Sequence, residues 1–291
     1  MLLSVPGPMP GEVAAPPART SLVDAPGSVL LAGQRPDKIA AMKSSLADAL
    51  GVKLAPVAII LTDQRPAEGV QFKPGRMGCV ASMLLTAAKG RAVFFDRDTF
   101  GCPGGGAGIG FGDCYARMDF PIDRLLSTGG TAQLGNGQTY DMREGERFHR
   151  SPDITRRWLA EFPFRQIQAA YVVAKPLADA AADEGIALVH WHVNPDQLSA
   201  LVTLAGFERG RVETATAPWG AACQAIAYAY AEAARPDPRG VIGFFDISRR
   251  HQVEREILSF TAPFALHCEM EAAVPDSFFA TEAWLELRKR Q

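Results

Sequence analysis

Between Phe100 and Gly112 the chain reads Phe-Gly-Cys-Pro-Gly-Gly-Gly-Ala-Gly-Ile-Gly-Phe-Gly, with six glycines in positions 104–112. Glycine loses more conformational freedom on folding than any other residue. Such density persists only where the backbone needs positive φ or something must approach it closely. The expectation is a loop from Gly101 to Gly112 that forms part of a functional site. A phosphate cradle is removed by spacing. From Gly106 the third glycine of a G-x-G-x-x-G motif would fall on Phe111, and from Gly104 on Ile109; no Gly-Lys-Ser/Thr follows. Three readings remain: a nest of amides for another anion, a tight turn around a buried thiol, or a loop that serves its own cysteine, Cys102. Glycines beside a cysteine leave the sulfur uncrowded and free nearby amides to donate to a thiolate or a cluster sulfide. On that reading Gly104, Gly105 and Gly106 bind a cofactor or ligand.

The chain has five cysteines: Cys79, Cys102, Cys114, Cys223 and Cys268. An odd count in 291 residues argues against a disulfide framework. Cys79 and Cys223 each stand at an expected helix start, where the helix dipole favours a thiolate. Together with Cys102 they make a candidate three-thiolate set. No C-x-x-C occurs, so the ligands would be dispersed and the zinc-ribbon and ferredoxin spacings are absent. Cys114 reads as a fourth ligand or a bystander, and Cys268 as core. His190 and His192 flank Trp191 and share one strand face, the spacing of a metal pair or of two hydrogen-bonded histidines. His149, His251 and His267 are isolated. Asp246-Ile-Ser-Arg-Arg250 falls at a strand-to-helix junction, where Arg249 or Arg250 would clamp a carboxylate or phosphate, or Ser248 would cap the helix.

Charge narrows the partners. Thirty Lys and Arg against 32 Asp and Glu leave a formal net charge of −2, and no long basic run occurs. A nucleic-acid face is not expected. No stretch approaches the ~18 apolar residues of a membrane span. The N-terminus lacks a basic region and is broken by Pro6, Pro8, Pro10, Pro16 and Pro17, so a secretory signal is not expected. The expected setting is cytoplasmic, the expected partner a small anionic molecule, and a homodimer is the base-rate assembly.

Residues 1–36, rich in Pro, Gly, Ala and Ser, read as a flexible arm. A single globular domain is expected over 37–291, with a polar, glycine-rich seam at 128–150 that leaves room for two similar-sized halves. Helices are expected at Lys38–Leu50, Cys79–Lys89, Pro152–Phe162, Pro195–Leu204, Cys223–Ala234 and Ser277–Arg288, with one more following Ser248. Strands are expected at Pro56–Thr62, Ala92–Phe95, Ala169–Ala174, Ile186–Val193, Arg211–Ala217, Val241–Ile247 and Ala265–Ala272. Several consecutive strands lack room for a crossover helix. The fold class is therefore α+β, a mixed and largely antiparallel sheet covered by helices. No repeat of solenoid period is present.

Specific runs carry a resemblance. Gly78-Cys79-Val-Ala-Ser-Met, Phe95-Asp-Arg-Asp-Thr-Phe-Gly-Cys102, Gly104-Gly-Gly and Gly108-Ile-Gly-Phe111 resemble the uncharacterised ArCR family, domain of unknown function 169. So do Glu146-Arg-Phe148, Tyr171-Val-Val-Ala-Lys-Pro-Leu177, Asn194 to Leu201, Gly220-Ala-Ala-Cys-Gln224 and Gly243 to Arg249. The likeness spans about residues 40–288. It implies that Cys79, Cys102 and Cys223 belong to the family's pattern and that Cys114 and Cys268 do not. One departure is Pro103, where the family often has an aromatic residue. The resemblance supplies positions and no reaction. The expectation carried forward is an iron–sulfur cluster, or another thiophilic metal centre, on Cys79, Cys102 and Cys223, doing redox or Lewis-acid chemistry with Arg249 holding an anion. The alternatives are a nucleophilic cysteine enzyme using Cys102 or Cys223 and a non-catalytic anion sensor.

Overall fold

The structure is a computed structural model that describes residues 46–71, 78–100, 102–112, 121–163, 165–181, 183–220 and 222–290. The arm expected over 1–36 and Cys114 lie outside the described residues. Eight strands form one sheet in the order β2-β3-β6-β1-β7-β10-β9-β8. They are β1 Val57–Thr62, β2 Val70–Gln71, β3 Val93–Phe95, β6 Tyr171–Pro176, β7 Ile186–Val193, β8 Ala215–Thr216, β9 Gly240–Gly243 and β10 Leu258–Pro263. All pairs are antiparallel except the outermost two, β2/β3 and β8/β9. The expected α+β class, with a mixed and largely antiparallel sheet, is what forms.

Both faces of the central strands are buried, which is why Val57-Ala-Ile-Ile60 is a continuous apolar run rather than an alternating one. One face carries Ala58, Ile60, Val189, Trp191, Val193 and Phe260 against α1 (46–50 of its length described), α6 Pro195–Leu204 and α8 Phe264–Ala273. The other carries Val57, Ile59, Leu188 and Val241 against α2 Val80–Ala88, α3 Pro103–Gly108 and α7 Ala225–Ala233. Each fully buried Leu, Ile or Val contributes about 1.5–3 kcal/mol on this scale.

The sheet is built twice over. Outward from its centre, one half runs β1-β6-β3-β2 and the other β7-β10-β9-β8. In each half the strand pairing is antiparallel until the final parallel pair, and a helix joins the strands of that pair: α2 after β2, α7 after β8. A sequence signature marks the duplication. Phe94-Phe95-Asp96 ends β3 and Phe244-Phe245-Asp246 follows β9. Both aspartates then close the same turn, accepting from the backbone N–H two residues on, Asp98 and Ser248, each at 2.9 Å. The chain therefore passes from one half to the other between β6 and β7. The stretch 128–150, readable as a long excursion or a seam, contains a small hairpin, β4 Gly130–Gln133 with β5 Thr139–Met142, next to the short helix α4 Ile122–Leu125 and to α5 Pro152–Glu161.

Three local expectations need correction. Residues 265–272 form α8 and not a strand; Ala, Leu, Glu and Met favour helix, and Leu266, His267, Met270, Glu271 and Ala273 are buried at helical spacing. The strand expected over 241–247 stops at Gly243, because Phe244 adopts φ +72, which no ladder accommodates. Ser248 caps no helix. Its N–H and hydroxyl both donate to Asp246 Oδ1, and only a 3₁₀ turn follows, Arg250–Gln252. The strand expected over 211–217 also shrinks to Ala215–Thr216, the helix over 277–288 to Glu282–Arg288, and β10 was not expected. The signals at α6 hold, where Asn194 and Gln197 form a reciprocal capping box around Pro195.

Candidate thiol-lined site

The glycine run is the main surprise. Pro103–Gly108 is a helical turn and a half, α3, rather than a loop. Cys102 is its N-cap, with Sγ accepting a hydrogen bond from Gly105 N–H at 3.2 Å, and Pro103 takes the first position, where no donor is missed. The glycines serve approach and not positive φ. A Cβ on Gly105 would lie 2.6 Å from Val80 Cγ2, and one on Gly108 would lie 2.8 Å from the Cys223 carbonyl oxygen. Of the described glycines in the run only Gly110 has positive φ, +109, where the chain leaves α3. Bare backbone on this side lets α3 press against the start of α2 and against the 3₁₀ turn Ala222–Gln224 that leads into α7.

This packing gathers three cysteines. Cys79 is the N-cap of α2, yet its thiol makes no cap hydrogen bond and remains available. Cys223 is buried within the 3₁₀ turn before α7. Cys79 and Cys223 thus occupy matching places in the two sheet halves, and α3 delivers Cys102 between them. Their sulfurs share one electrostatic neighbourhood. Burial pushes the Cys102 thiol up, Gly105 N–H and Arg249 pull it down, and Cys79 pushes it up again. Burial drives Cys223 well above the usual thiol range, with Cys102, Cys79 and Asp246 adding in the same direction. Cys268 lies in α8, which packs on the opposite face of the sheet. Of the three glycines expected to offer amides, Gly105 donates to the sulfur, while Gly106 N–H donates to the Cys102 carbonyl and is used within α3.

A cleft opens beside Cys79, lined by Ser82, His192, Phe244, Arg249 and Val253 among others, with a free interior of about 10 Å³, room for about one water. Arg249 is exposed at its rim, and among the described residues its guanidinium enters no ion pair. Asp246 is buried and occupied by Ser248. Glu146 keeps one side in solvent, yet burial of the other raises its carboxyl pKa; Asp246 adds to the rise, while Ser248 and Arg249 oppose it. The Glu146 segment is held against the Cys223 segment by an aromatic cluster, in which Trp219 meets Phe148, His149 and Trp158 at ring distances of 5.4, 5.1 and 5.0 Å. His149 belongs to that cluster, His251 is exposed, and His267 is buried in α8.

His190 and His192 sit on the cysteine face, fully buried rather than half-exposed. Residues directly opposite in an antiparallel ladder share a face. The ladder therefore sets Val57, His190, Thr261 and Val241 in one row and His192, Ser259 and Gly243 in the next. From the sequence, Ser259, Thr261 and Phe244 had no place in the site. Their signal was present as polar residues alternating inside Leu258-Ser-Phe-Thr-Ala, but the partner strand was not legible.

The fold defines an α+β protein whose eight-stranded sheet has two like halves, with a cleft beside Cys79 on one face. The chain matches the model of the uncharacterised ArCR family over residues 45–273 and belongs to that family. No curated protein and no solved structure matches it. Among the described residues no helix is long and apolar enough to cross a membrane.

Proposed function

We propose that this protein holds an iron–sulfur cluster, or another thiophilic metal centre, on Cys79, Cys102 and Cys223, and acts there on a small anionic molecule. The observation that carries the reading is the convergence itself. Three cysteines with no short motif between them, on α2, α3 and the 3₁₀ turn before α7, are brought near one another by the close approach that Gly105 and Gly108 allow. Among the described residues no three acidic, His or Cys side chains are grouped tightly enough for a single ion. An iron–sulfur cluster would be held by the three thiolates.

When bound, such a centre supplies redox or Lewis-acid chemistry at a position the protein leaves open. The chain's own residues supply the rest. Gly105 N–H donates to the Cys102 sulfur, a contact of the kind that tunes potential. Arg249 meets negative charge at the rim, and Phe244 and Val253 limit water. The raised thiol pKa values of Cys102 and Cys223 give a nucleophilic-cysteine enzyme no help, since an activated thiolate needs the opposite shift. A bound cation reverses that balance and holds the sulfurs ionised. A reducing, cytoplasmic setting fits free thiols of this kind.

The test is iron and acid-labile sulfide content, with the visible spectrum, of the full chain purified without oxygen and reconstituted. Stoichiometric iron and sulfide with thiolate-to-iron absorption is expected. A colourless, iron-free protein after reconstitution sinks the reading.

A further inference from the structure

Beneath the cleft, which His192 lines, lies a group of buried polar residues that find too few partners among the described residues. His192 is 3% exposed, and among the described residues neither ring nitrogen has a hydrogen-bond partner. Ser259, directly opposite it in the ladder, is fully buried with its Oγ unpartnered. His190 pairs through Nδ1 with Thr261 Oγ1 at 2.8 Å, but its Nε2 is also unpartnered, and its ring lies 4.8 Å from that of His192. A buried polar group left without a partner carries an uncompensated desolvation cost. Here three neighbouring residues incur that cost on one face of the sheet.

The surrounding residues hold this arrangement open. Phe244 adopts φ +72, a strained conformation for a bulky residue, and its ring packs 5.6 Å from His190 and 5.3 Å from His192. Gly243 has no side chain where a Cβ would come 2.8 Å from Ser259 Oγ. Burial pushes the His192 pKa down to about 4, so near neutral pH its ring is neutral, with one donor and one acceptor nitrogen. His192 and Arg249 line the same cleft, one at its buried end and one at its exposed rim.

We propose that His192, with Ser259 beside it, is the hydrogen-bonding floor of the ligand site: it donates to the inner end of a small anion whose charge Arg249 meets at the rim. The narrow interior restricts the inner end to one or two heavy atoms, so the ligand class is a compact anion with an exposed acceptor. The inference rests on the thiol-lined site as the place of binding and holds whether or not iron is the metal there.

Azide is a suitable probe, being compact, anionic and visible in the infrared. It is titrated into the anaerobically reconstituted full chain, wild type beside His192→Phe and Ser259→Ala, with iron and sulfide measured in each. Saturable binding is expected in the wild type. His192→Phe should raise Kd by about tenfold or more, and Ser259→Ala by about threefold, with a shifted azide band and unchanged metal content. Wild-type affinity and band in both variants, the result if a buried water is all these groups hold, overturns the proposal and leaves the three-thiol reading standing. Absence of saturable azide binding to the wild type overturns it as well. Binding that depends on His192 in a protein that takes up no iron supports the proposal and removes the metal reading alone. Ser259→Ala deletes one oxygen and is expected to fold; should His192→Phe not fold, its affinity decides the matter.

Discussion

Gly108 faces the carbonyl of Cys223 across so small a gap that a Cβ at position 108 would lie 2.8 Å from that oxygen. The contact joins the helix that carries Cys102 to the turn that carries Cys223, and backbone on both sides leaves nothing to yield. Gly108→Ala is expected to destabilise the protein by about 1–3 kcal/mol, measured by urea unfolding, and to lower metal retention in the same preparation. Gly105→Ala meets Val80 Cγ2 instead, a side-chain atom. Val80→Ala should recover part of the Gly105→Ala cost and none of the Gly108→Ala cost, a difference a double-mutant cycle reads directly.

The three site cysteines are separable from Cys268 by experiment. Cys79→Ser, Cys102→Ser and Cys223→Ser are each expected to lower iron and sulfide by more than about half after reconstitution, because a lost thiolate leaves an iron without its ligand. Cys268→Ser, in a helix packed on the opposite face, should keep the metal and cost only packing. Equal metal content in all four variants would contradict the ligand assignment.

Buried neutral histidines set a pH dependence. Burial lowers His192 and His267 to about 4 and His190 well below its usual value. The unfolded chain binds these protons near pH ~6.5. Between pH ~6.5 and ~4 the unfolded state therefore holds more protons, and stability falls as pH falls through that window. His267 Nε2 lies 3.9 Å from Glu271 Oε2, a contact that favours the charged ring, but burial dominates. The urea midpoint should drop steadily from pH 6.5 toward 5, and His267→Gln should flatten part of the slope. A midpoint constant across that range would refute the assignment.

Glu232 and Arg239 anchor the second half of the sheet. The Glu232 carboxylate, with its side chain only 8% exposed, accepts from the Arg239 guanidinium at 2.7 and 3.2 Å and from its backbone N–H at 3.0 Å, which ties α7 to the start of β9. Arg235 also pairs with Glu232, at 3.3 Å, but is half exposed, so removing the Arg239 side chain leaves the buried carboxylate poorly compensated. Arg239→Ala is expected to cost about 2–4 kcal/mol in urea unfolding. Arg239→Ala combined with Glu232→Gln should cost less than the single change, since the poorly compensated charge is then gone.

Local chemistry was legible in the chain, and pairing was not. Asn194-Pro195 with Gln197 encoded a helix start within four residues, and Val57 to Thr62 encoded a strand buried on both faces; the α+β class, the three cysteines and the family followed from such signals. The Phe-Phe-Asp repeat was also present in the sequence, yet its meaning depended on two strands at opposite ends of a sheet finding matching positions. Residues 265–272 looked like a strand because the run Ala-Leu-His-Cys is mostly apolar and short, and only the layer of helices against Trp191 and Phe260 decided otherwise. The glycines of 104–112 announced a special backbone. Whether that meant positive φ or close approach was fixed by Val80 and Cys223, residues far away in the chain, because steric contact is a property of the folded arrangement. In the same way His190 and His192 could be placed on one face from their spacing alone, while their burial opposite Thr261 and Ser259, without enough partners, was decided when β7 took β10 as its neighbour.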